Sequence, residues 1–146
     1  MAAQAAQATS IIIKPAIWAG LIIAIYEIVL VHRDVHVATH RMAHALHAAI
    51  FALLATFVNF NVPFVLNAFP AISKIPVLGS TIGLRIAVGF VMMIKIHAAS
   101  AAVRGMHGSS VGMKESWIHS LIVAALTVIA PYAWPMISPA LPGFMR

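Results

Sequence analysis

Residues 11–31 read IIIKPAIWAGLIIAIYEIVLV and decide the fold. Crossing a hydrocarbon core about 30 Å thick takes about 20 predominantly apolar residues on a helix, and this run supplies them with a single lysine and a single glutamate. Pro15 falls in the first turn, where a missing N–H is tolerated because that donor has no partner inside the helix anyway. The run closes at His32-Arg33-Asp34, a polar stop suited to a headgroup region.

Working outward, three more stretches repeat the pattern. Residues 35–60 open with polar side chains and become purely apolar from Ala48 to Val58, ending at Asn59-Phe60-Asn61-Val62-Pro63. Residues 81–104 form a third run and residues 115–138 a fourth. Between the second and third, Pro63, Pro70, Pro76, Gly79 and Lys74 crowd too closely for an uninterrupted spanning helix, so 61–80 reads as a connector in the interface. The expectation is an all-α, polytopic integral membrane protein: one transmembrane domain over 1–146, a four-helix transmembrane bundle with spans near 11–32, 35–60, 81–104 and 115–138. Pro131, Pro135, Pro139 and Pro142 should kink the last helix or end it at the opposite interface. Pro131 leaves only about 16 uninterrupted apolar positions, so a three-crossing alternative keeps residues 115–146 along the surface.

Composition agrees. Of the 146 residues 62% are hydrophobic and 8% charged, against about a quarter charged in ordinary soluble domains. The chain has no cysteine, which removes disulfides, thiolate metal sites and thiol nucleophiles together. The net charge of +6 comes from basic residues scattered singly among apolar runs, which forms no stripe for nucleic acid and excludes it as the expected partner. Such residues at helix ends anchor to lipid headgroups. The start, MAAQAAQATS, lacks the basic region of a secretory signal.

Charges within a span need a reason, since insertion scales place their cost at roughly 2.5–3.5 kcal/mol at the centre. Lys95 lies nine residues, about 13 Å, inside the Arg104 end of its helix, and Glu27 about 9 Å inside the Arg33 end of the first. With alternating helices both depths are measured from one face, so Glu27 and Lys95 are taken as a polar intramembrane cluster whose ion pair across the bundle is geometrically possible; the alternative is that Lys95 snorkels and Glu27 sits at the headgroup boundary. Histidine is the second anomaly. In VHVATHRMAHALHAA, His36, His40, His44 and His47 fall within about 80° of one another on a helical wheel, one narrow face. Spacings of three and four residues let two imidazoles on one helix share a metal if another helix completes the shell. Candidate ligands are His40, His44, His47, His97 and His119, with Glu27 at similar depth, for Cu, Zn or Fe ahead of haem. The same groups can pass protons near neutral pH. They are expected to face protein, because a polar group turned into hydrocarbon has no partner.

No soluble domain or cofactor motif of recognised spacing is present, and the crossings are few for a secondary transporter acting alone. The leading expectation is an accessory or structural subunit of a larger membrane complex, of the energy-transducing or metal-dependent oxidoreductase kind, more a non-catalytic chain than an enzyme. Its partners would be the lipid bilayer and other membrane subunits or identical copies. Two alternatives remain: a small proton or metal-ion transporter or channel using the His36–His47 face, and a His-ligated membrane metalloenzyme.

Overall fold

The computed structural model describes residues 10–34, 38–101 and 117–146. Four long helices dominate: α1 (Lys14–Asp34), α2 (Ala38–Phe60), α5 (Thr81–Ala101) and α6 (Trp117–Ile137). Two short helices, α3 (Val62–Ala68) and α4 (Pro70–Ser73), fill the connector, and two 3₁₀ turns, Ser138–Ala140 and Gly143–Met145, end the chain. The described residues contain no strand.

α2 and α6 pack against each other, with α1 and α5 on opposite sides of that pair. Small residues make the approach close. Ala45, Ala48, Ala49, Ala52 and Ala55 run buried along α2, and a Cβ on Gly20 of α1 would stand 2.6 Å from Leu53 Cδ1. Gly89 does the same for α5 and α6, where an added Cβ would meet Val128 Cγ2 at 2.6 Å. Small residues at crossing points let backbones gain dispersion contacts that an apolar solvent does not supply. The middle of the bundle is an apolar layer of Ile23, Ala48, Ala52, Met92, Ile96 and Val123. A second cluster, Ala16, Ala19, Phe60 and Trp134, closes one end, where Phe144 packs edge-on against Trp18 at 5.5 Å.

The outside is apolar as well: Ile13, Ile25, Leu54, Phe90, Val91 and Ile118 are among many large side chains left exposed. Lys14–His32, Thr81–Ala98 and Trp117–Ala140 are each long and apolar enough to cross a membrane, consistent with a membrane location. The helix short of apolar length is the second, not the last. His44–Phe60 reaches the required length only together with Val62–Ala68, across a 72° bend. The last helix runs through Pro131 and Pro135 to Ile137. Each proline frees one carbonyl a turn earlier, a loss that membrane helices tolerate when neighbours surround them.

The connector is more ordered than its prolines suggest. Pro63 and Pro70 sit in the first turns of α3 and α4, where a proline starts a helix as readily as it ends one. Asn61 organises the bend. Its Nδ2 donates to Phe57 O at the end of α2 (2.8 Å) and to Ile12 O (3.0 Å), and its Oδ1 accepts from Ile12 N (2.6 Å). One amide thus ties the entry of α1 to the exit of α2. Val77 holds a positive φ of 70°, strained for a β-branched side chain.

Asn61→Ala removes all three bonds, and a destabilisation of about 1–2 kcal/mol follows from losing them at a partly buried site. Thermal unfolding in mild detergent should show the loss, with faster proteolysis at residues 10–13; an unchanged midpoint would show that Asn61 holds nothing.

Candidate functional site

Polar side chains fill two interior tiers on either side of the apolar layer. The first comes from the end where α1 stops and α6 begins. Glu27, seven residues before Asp34, points inward with no exposed surface. One turn beyond Ile23 of the core layer, it reaches across to α6. There His119, one turn before Val123 and itself buried, places Nε2 2.9 Å from Glu27 Oε2. With Glu27 ionised, the imidazole donates this bond. Glu27 Oε1 is sealed from solvent and accepts no hydrogen bond among the described residues. His44 and Ser120 are buried as well. A carboxylate and an imidazole in contact inside an apolar bundle can exchange a proton, and the open Oε1 leaves one acceptor to spare.

The sequence placed Glu27 opposite Lys95, and the structure corrects that pairing. Lys95 is exposed on α5, while Glu27 meets His119. Lysine's long stem lets its ammonium sit outside the packed interior, whereas glutamate's short one cannot leave it. Of the histidine face, the described side chains are His44 and His47. His44 turns in, but His47, 60° away on the wheel by the roughly 100° advance per residue, is exposed and packs on Phe51 at 4.7 Å between ring centres. His97 is half-buried and stacks on Trp117, rings 3.6 Å apart at 21°. His36 and the side chain of His40 lie outside the described residues. Of the candidate ligands, the structure therefore brings His119 onto Glu27 and sends His47 outward. Among the described residues no three His, Asp or Glu side chains converge as a metal site.

The second tier was not foreseen. At the opposite end Arg85 of α5 is only 9% exposed. Its Nε donates to the backbone carbonyl of Asn59 on α2 (3.0 Å), and its Cζ lies 4.6 Å from the ring centre of Tyr132 on α6. Asn59 is fully buried and its Nδ2 reaches Thr127 Oγ1 at 3.4 Å. Thr127 donates to Ala124 O (2.8 Å) and Thr56 to Ala52 O (2.7 Å), bonds within their own helices that leave the hydroxyls inside the bundle without loose donors.

The chain matches no protein-family model, no curated protein and no solved structure.

Because both partners are buried, removing one strands the other. Glu27→Ala and His119→Ala should each cost about 3 kcal/mol, the range for breaking a buried pair. The double variant should cost no more than the worse single one, since coupled residues are not additive. Unfolding of the three variants in detergent tests this; strictly additive losses would mean the two groups do not act as a pair.

Proposed function

We propose that the chain is embedded in the bilayer as a four-helix transmembrane bundle and serves as an accessory or structural subunit of a larger membrane complex. The observation that carries this reading is the outward lysine. Lys95 stands exposed on α5, six residues or about 9 Å inside Ala101, on a surface otherwise made of apolar side chains. One turn along lie Val91 and Met92, which with Phe51, Leu54, Val58 and Val88 line an apolar groove between α2 and α5. His47, packed on Phe51, flanks the same end of that groove. Two titratable groups beside an apolar groove at this depth are costly against lipid, and a neighbouring subunit with an acceptor or carboxylate at that depth removes the cost.

The interior supports the same reading. A conducting bundle needs a polar path from end to end, but here Ile23, Ala52, Met92, Ile96 and Val123 pack together between the two polar tiers. Close-packed apolar side chains exclude water and protons alike. The buried Glu27–His119 pair favours the alternative of a small proton or metal-ion transporter, since it is a protonatable site at depth. That alternative requires the apolar layer to open.

Extraction from native membranes in gentle detergent, followed by mass measurement, should find the chain with unlike subunits at fixed stoichiometry. Lys95→Glu should release it from them, while Lys95→Arg should not. A stable monomer or homo-oligomer that moves protons or metal ions when reconstituted into liposomes would overturn the proposal.

A further inference from the structure

Arg85 presents a buried cation without an acid. Among the described residues the one buried carboxylate, Glu27, lies at the opposite end of the bundle on His119. At the Arg85 end the charged side chains are Lys14, Lys74, Arg85 and Arg146, and every one is basic. Within the protein the guanidinium satisfies only Nε, on Asn59 O, and rests its face on Tyr132. Its two terminal nitrogens have no acceptor among the described residues, yet they are not among the atoms sealed from the surface. Arg85 is four residues into α5, about 6 Å from the helix start, the depth of a headgroup boundary in a chain that spans the bilayer.

What lies below this cation is equally specific. A groove of about 500 Å³ runs between α5 and α6, lined by Ile86, Gly89, Phe90, Val128 and Ile129 among others. Gly89 lies one turn beyond Arg85 on α5, and Val128 lies one turn before Tyr132 on α6, so by helical register Arg85 and Tyr132 stand one turn beyond the groove's lining, toward the start of α5. At Gly89 the two helices close on each other, Val128 Cγ2 standing 2.6 Å from where a Cβ would be, so the groove runs along this crossing. The site thus offers a fork of N–H donors over a hydrocarbon slot. Guanidinium forks bind phosphate oxygens in pairs, and a stacked aromatic ring holds the fork flat.

Building on the bilayer-spanning reading above, we propose that Arg85 and Tyr132 hold the phosphodiester of an anionic phospholipid, with one acyl chain lying in the α5–α6 groove. Nε bonded to Asn59 fixes the orientation of the fork, leaving the terminal nitrogens for the phosphate. The uncompensated charge of the Arg85 guanidinium selects an anionic headgroup over a zwitterionic one.

The test is native mass spectrometry of the purified chain titrated with phosphatidylglycerol or phosphatidylcholine. Wild-type protein should retain one phosphatidylglycerol with about tenfold preference over phosphatidylcholine, a difference of the size expected for one charge-assisted contact. Arg85→Gln should abolish the preference and Arg85→Lys should weaken it, whereas Lys74→Gln, on the exposed connector, should leave it within about twofold. If Arg85→Gln does not fold, Tyr132→Leu, which alters an exposed ring, serves in its place and should lower retention. Equal retention of both lipids by wild type, or unchanged preference in Arg85→Gln, overturns the proposal. Displacement of the lipid by millimolar inorganic phosphate would also overturn it, by showing a free-anion site without a chain in the groove. A bundle that spans the bilayer but fails this test leaves the subunit reading intact.

Discussion

Every polar group inside this bundle must find its partner within a few ångströms, because both the middle of the interior and the outside are apolar. That constraint shapes the rest. Backbone donors and acceptors are consumed by helices, the one arrangement that satisfies them segment by segment. Side chains follow the same rule: Glu27 closes on His119, Asn61 on the backbone of Ile12 and Phe57, Thr56 and Thr127 on carbonyls of their own helices. Among the described residues the exceptions are of two kinds: sealed oxygens, Glu27 Oε1 and Asn59 Oδ1, and groups at the surface. Lys95 and His47 face out beside a groove, and the Arg85 fork opens at a helix end.

Confining polar groups to two tiers leaves the middle free for close packing. Alanines along α2, with Gly20 and Gly89 at crossing points, bring the helices near enough for close dispersion contact. The same packing separates the Glu27–His119 pair from the Asn59–Arg85 tier, so chemistry at one end has no continuous route to the other.

The helices were legible because membrane-crossing length is a property of composition. Glu27, His44 and His119 were legible as interior groups, since depth follows from counting residues at about 1.5 Å each. Which face a residue presents was not. His44 and His47 differ by 60° on the roughly 100° wheel, and that difference carries one inside and the other out. On helices apolar all round, sequence does not mark the inner face, so the counting left open whether Lys95 pairs inward or snorkels outward. Arg85 and Asn59 were passed over because a polar residue near a span end reads first as an anchor. A signal existed on the last helix, where Ser120, Ala124, Thr127 and Trp134 form a stripe at helical spacing and all are buried. Followed along that stripe, the second tier would have come into view. The prolines of 61–80 were read as too close for one spanning helix, and that segment holds two short helices with Pro63 and Pro70 in their first turns, where proline is a starter.

The account rests on four helices crossing a bilayer with α1 and α5 running opposite to α2 and α6. Labelling single-cysteine variants with a membrane-impermeant maleimide in sealed vesicles tests this most directly, at Asp34→Cys, Ser73→Cys and Ser138→Cys. Ser73 and Ser138 are placed at one end of the bundle and Asp34 at the other. The account predicts that the two serine positions label from one side and position 34 only from the other; labelling of all three from the same side would contradict it.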